Sequence, residues 1–207
     1  MFNIKFKGKY TDESQLKKGE LPMCAVKFKE PDSISKAFLL GGLVSLPVLL
    51  VSTILLIFKI GNFIRLPFYQ FILIILLGII LLYIHELIHA LSLPIYIEKE
   101  IWSKMNEGAL FVHFNKPITK SRFIWVCFAP NLILGYIPFI LFIFGFWDFN
   151  NILCNVIGVI SWIMIISGVG DYLNIYNTII QVPKDAKILN YGLNSYWLKY
   201  DEFTLQF

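Results

Sequence analysis

Four apolar runs, residues 37–58, 66–93, 123–146 and 152–181, take up most of this chain, and each is long enough to cross the hydrocarbon core of a bilayer, which needs about 20 residues. Inside a bilayer the backbone must satisfy its own hydrogen-bonding groups, so runs of this length fold as helices. Hydrophobic residues make up 57% of the chain and charged residues 15%, and the mean hydropathy is +0.68, too apolar for an ordinary soluble domain. The expected fold is an all-α polytopic membrane protein, a single membrane domain over 1–207 with four transmembrane helices. Residues 1–36 and 182–207 flank the spans as polar segments.

The basic residues set the orientation. Eight of the 18 Lys and Arg lie in residues 1–36, two at Lys59 and Arg65, five between Lys99 and Arg122, and three in the tail. With both termini inside, 16 lie on the cytoplasmic side and 2 outside, the distribution that the positive-inside rule favours. The first 36 residues are charged and hold no apolar core of the kind a signal peptide needs, so the N-terminus is expected to stay on the side where it is made. Cys24, Cys127 and Cys154 are odd in number and lack CxxC spacing, which predicts neither a disulfide framework nor a cysteine metal site. The net charge of +4 is modest and follows topology, so it leaves no nucleic-acid footprint and makes the lipid bilayer the expected partner.

The flanking segments carry small extended (β) pieces. Phe2, Ile4 and Phe6 alternate with lysines, as do Val26 and Phe28, which is the period of half-buried strands. Such strands can form a small cytoplasmic sheet with the tail, where Trp197, Leu198, Tyr200 and Phe203 offer apolar partners, or lie on an anionic membrane surface. Residues 109–114 also read as a strand, able to pair within its own hairpin or to receive an unfolded substrate.

An ionisable side chain in a bilayer core costs on the order of 2.5–3.5 kcal/mol, so each one demands a reason. Within the four runs there are four: His85, Glu86, His89 and Asp171. The first three form His85-Glu86-Leu87-Ile88-His89, an HExxH pattern that takes two of the three histidines in the chain. On a helix, positions i and i+4 stack on one face, so both imidazoles can reach one metal ion with the glutamate beside them. A catalytic zinc site takes three protein ligands and leaves a fourth position for water. Asp171 completes that count, and depth agrees: at the helical rise, His85, His89 and Asp171 lie roughly 12, 6 and 15 Å in from the cytoplasmic ends of their spans. Residues of the cytoplasmic loop, Glu98, Glu100, Glu107 and His113, are the other candidates for a third ligand, although charge in a loop usually means a solvated face. An extended metzincin motif is excluded, because position 95 is Ile and Pro94 ends the helix before it.

Pro130 and Asn131 fall in the same layer, roughly 11–12 Å in. The proline frees a carbonyl one turn earlier and the Asn carries a donor and an acceptor, so the pair can hold a substrate backbone or an oxyanion, or simply kink and pack the helix. Gly168 and Gly170 allow another helix to approach closely. Asn174, one turn beyond Asp171, is placed to orient a ligand or to bond a neighbouring helix.

These residues resemble a known group. The run from His85 to Ala90, the stretch from Thr119 to Pro130, the Ser167 to Asp171 stretch and the Pro183-Lys184-Asp185-Ala186 tail look like the putative zincin peptidase family of small bacterial membrane proteins, as does Val26 to Pro31 near the start. The resemblance implies a bacterial cell membrane, the family's HExxH at His85, Glu86 and His89, and its aspartate at Asp171. The arrangement is also similar to site-2 intramembrane metalloproteases, but those carry Leu-Asp-Gly where this chain has Gly170-Asp171-Tyr172. The expectation is a Zn²⁺ metallopeptidase, with Glu86 catalytic and a peptide or membrane protein as substrate. The rival expectation is a non-catalytic membrane protein, in an immunity, transport accessory or chaperone-like role, using the same residues as a structural metal site or a proton relay.

Overall fold

The computed structural model describes residues 3–61, 67–104, 108–146 and 151–199. Phe2, Arg65, Glu107, Tyr200 and Phe203, named above from the sequence, lie outside the described residues.

Helix α1 runs over Ile34–Ile60 and α2 over Phe68–Ser92. The third helical run is composite: α3, Lys120–Pro130, passes into a π-helical segment, Asn131–Tyr136, and then into α4, Ile137–Phe144. A fourth pair, α5 over Asn151–Ser167 and α6 over Val169–Gln181, is bent by 43° at Gly168. Among the described residues, three helices are thus long and apolar enough to cross a membrane, and four if the bent pair counts as one. The run expected as one span over 152–181 is bent within its length, and the physical reason is local. Gly168 follows Ser167, the combination at which helices commonly kink, and the hydroxyl of Tyr172 turns back to donate to the Ile165 carbonyl at 3.1 Å.

Among the described residues, strands appear only at the end of the bundle where α2 and α6 finish and α1 and α3 begin. Strand β1 (Ile4–Lys9) pairs parallel with β3 (Lys99–Lys104), which pairs antiparallel with β4 (Ala109–His113). A second sheet has the order β2, β7, β6, β5, built from Val26–Lys27, Asn194–Leu198, Lys187–Tyr191 and Ile118–Thr119. The extended segments at the two ends of the chain therefore do meet, with Val26 opposite Trp197, but as two sheets rather than one. The first sheet incorporates β3, whose charged start, Lys99 and Glu100, disguises it as solvated loop. Both residues are in fact buried.

One apolar core ties this cap to the helix ends. Leu93 and Ile97 from the segment after α2, Phe123, Val126 and Cys127 from α3, Val182 after α6, Phe28 next to β2 and Ile188 of β6 pack together. The first turn of α3 also caps its neighbours. Lys120 Nζ donates to the carbonyls of Ile179 and Val182 at 3.3 and 2.5 Å, at the end of α6, and Arg122 reaches the Ser92 carbonyl at the end of α2. Cations at helix C-termini satisfy orphan carbonyls and complement the dipole. At the far side of α6, α1 approaches closely because residue 41 is glycine: a Cβ there would overlap the Val169 carbonyl.

Candidate metal centre

Three helices converge on one buried cluster. His85 and His89, one turn apart on α2, present their rings edge to face with centroids 4.7 Å apart. Asp171, in the first turn of α6, faces both, its Oδ2 lying 3.1 Å from His85 Nε2 and its Oδ1 3.3 Å from His89 Nε2. The helix N-terminus, with its unpaired N–H groups, is a favourable place for a carboxylate. One ligand atom from each residue can be chosen so that all lie within 4.8 Å of one another. Adjacent ligands of a tetrahedral zinc lie roughly 3.3–3.6 Å apart, given bonds of about 2.0–2.2 Å, and the two Asp171–histidine separations of 3.1 and 3.3 Å come close to that spacing.

The hydrogen bonding supports a cation at this point. His89 Nδ1 lies 2.7 Å from the backbone carbonyl of Val126, which only accepts, so the ring proton sits on Nδ1. In the neutral ring, Nε2 then turns a lone pair toward a carboxylate oxygen, an arrangement that a cation between them resolves. His85 Nδ1 is buried with no hydrogen-bond partner among the described residues. The two-nitrogen, one-oxygen donor set is one that zinc accepts.

The third helical run supplies the supports. Pro130 and Asn131 are fully buried where α3 becomes π-helical. The Asn131 amide donates to Asp171 Oδ2 at 2.8 Å and to the Cys127 carbonyl at 3.3 Å. Asn174, on α6 one turn past Asp171, forms no hydrogen bond to the three residues of the cluster. Glu86 is half-buried beside His85 and His89, and its carboxylate makes no hydrogen bond or ion pair among the described residues. It lies within electrostatic range of His89 and Asp171. The Asp171 side chain is 13% exposed, against 7% and 8% for the two histidines, so the aspartate marks the accessible side of the cluster.

The loop candidates are drawn elsewhere. Glu98 bridges Lys5 and Lys17, at 3.0 and 3.1 Å. Glu100 takes Lys7 at 3.2 Å and the Trp102 indole N–H at 3.2 Å, and stands 3.7 Å from His113 Nδ1. Glu100 and His113 are both buried, contrary to the expectation of a solvated face: they stand opposite each other on paired β3 and β4, and β1 pairs along β3 and brings Lys7 to Glu100.

A family model described as Putative zincin peptidase matches residues 78–187, more than half of the chain. The chain belongs to the putative zincin peptidase family. The zincin match runs from the middle of α2 to the start of β6, and so takes in His85, Glu86, His89, Pro130, Asn131 and Asp171, while α1 and the N-terminal strands fall outside it. No curated protein and no solved structure matches the chain.

Proposed function

We propose that this chain is a membrane-embedded zinc metallopeptidase that hydrolyses a peptide bond near the cytoplasmic face of a bacterial cell membrane. The observation that carries the reading is the convergence of His85, His89 and Asp171 from two helices on one point, with Glu86 beside them and making no hydrogen bond or ion pair among the described residues. His85, His89 and the Asp171 carboxylate would hold Zn²⁺. When bound, the ion supplies Lewis-acid polarisation of the scissile carbonyl and lowers the pKa of water to about 7.

The chain's own groups do the rest. Glu86 accepts a proton from the attacking water as its oxygen adds to the carbonyl carbon, and returns it to the amide nitrogen as the C–N bond breaks. Burial of the cluster keeps bulk water away from the reacting groups, and the partial exposure of Asp171 gives the substrate its approach. Strand β4 is at one edge of its sheet and packs against α2, so an extended peptide can add along it beside the motif. The substrate is a peptide or a membrane protein, the four helical runs cross the bilayer, and both termini are cytoplasmic, which puts 16 basic residues on the inner side.

The test is cleavage of membrane-protein and peptide substrates by the purified chain, with and without chelator, beside Glu86→Gln. Zinc-dependent cleavage lost in the variant supports the reading. Retention of zinc with no cleavage of any trapped or co-purified protein favours a structural metal site, and a protein that functions without metal favours a proton relay through Glu86 and Asp171.

A further inference from the structure

In an α-helix the carbonyl of residue 126 receives the N–H of residue 130. Here residue 130 is proline and has no N–H to give. The next backbone donor, Asn131 N–H, is spent on the Phe128 carbonyl. The Val126 carbonyl is therefore left without a partner from its own helix, in a buried stretch of a membrane span where an unsatisfied carbonyl costs several kcal/mol. It is His89 Nδ1, from α2, that satisfies it at 2.7 Å.

We propose that Pro130 is a positioning residue for the metal, acting through the carbonyl that it leaves free. The proposal rests on the metal reading above, and it differs from the two roles that the sequence suggests for Pro130, a substrate contact or a mere kink. The proline guarantees that α3 cannot reclaim the Val126 oxygen. That oxygen then fixes both the rotation of the His89 ring and the nitrogen that carries its proton, leaving Nε2 as the donor atom facing Asp171. The π-helical segment starts at the next residue, so one break in the ladder serves two ligands: Val126 holds His89 and Asn131 holds Asp171. Neither support reaches across from outside the span. Both are built into the helix that lies between the two ligand-bearing helices.

The test is Pro130→Ala, with Pro130→Val as a second variant closer in volume. Each restores an N–H at position 130 and improves helix formation, so neither is expected to lower thermal stability in the zinc-free state. Zinc affinity, measured by competition with a chromophoric chelator in detergent, is expected to fall about 10- to 100-fold, the usual effect of losing an outer-shell partner. ¹⁵N resonances of labelled histidine in zinc-free protein, at a pH where the ring is neutral, report the tautomer independently of metal. The wild type is expected to hold the Nδ1–H form at His89, and the variants to show a tautomer mixture. A folded variant of either kind that keeps the pure Nδ1–H form and binds zinc within twofold of wild type overturns the proposal. A wild type that binds no zinc removes the metallopeptidase reading, while the tautomer comparison still decides what Pro130 does to His89.

Discussion

The Asn131 side-chain amide donates to Oδ2 of Asp171 at 2.8 Å, and it fits there because residue 168 is glycine. A Cβ on Gly168 would overlap the Asn131 carboxamide. Asn131→Ala is expected to leave zinc affinity about 10- to 100-fold weaker, by freeing Asp171 to rotate, with the three ligands still present. Gly168→Ala is expected to weaken zinc binding in the same direction by displacing the amide. Competition titration with a chelator measures both, and unchanged affinity in Asn131→Ala would show that Asp171 needs no such support.

Glu86 contributes no atom to the metal cluster. The Glu86→Gln variant is expected to bind zinc with wild-type stoichiometry and to lose peptide turnover by a factor of at least about 100, the range ascribed to a general acid–base group. Elemental analysis and a cleavage assay on the same preparation check the two halves. Turnover near wild type would take Glu86 out of the mechanism.

Two adjacent glycines in α1 separate packing from propensity. A Cβ on Gly41 would overlap the Val169 carbonyl, which is backbone and cannot step aside, whereas a Cβ on Gly42 meets nothing within 4 Å. Gly41→Ala is expected to cost about 1–3 kcal/mol by overpacking the contact between α1 and α6. Gly42→Ala is expected to be neutral or slightly stabilising, since alanine is the better helix former. Thermal unfolding in one detergent orders the three proteins, and equal midpoints would contradict the close approach.

Burial holds the His113 imidazole below its ordinary value of 6.5, against the opposing pull of Glu100. A pKa lower in the folded state than in the unfolded one means that the unfolded chain binds the proton first. Stability from this group is complete above about 6.5 and is lost as pH falls through the folded value. His113→Gln is expected to shrink the loss of thermal stability between pH 7.5 and pH 5.5, as measured by unfolding at the two pH values. An identical loss in both proteins would assign the acid sensitivity to other groups.

The parts of the fold that depend on composition are legible in the sequence. Long apolar runs must become helices in a bilayer, and the four ionisable residues within them are too costly to be incidental. The structure brings His85, His89 and Asp171 together in one cluster. What escapes the sequence depends on partners far along the chain. The break at Gly168 has a local signal in the small residues around it, but an uninterrupted hydropathy profile hides it. Strand β3 is hidden by Lys99 and Glu100, whose burial follows from β1 folding across them. Pro130 announces that the carbonyl of Val126 is free, since the i−4 relation is fixed by helical geometry. That the donor is His89 follows only from the packing of α2 against α3. Asn131 reads as polar and buried, yet its grip on Asp171 requires the contact between α3 and α6.

Zinc content of the detergent-purified chain, measured by elemental analysis beside the His85→Ala/His89→Ala double variant, tests the central claim most directly. The account predicts about one zinc per chain in the wild type and none above background in the variant, since a site of three protein ligands does not survive the loss of two. A folded wild type that takes up no zinc when supplied with it, or a double variant that retains as much as the wild type, would contradict the assignment of His85, His89 and Asp171 as the metal centre.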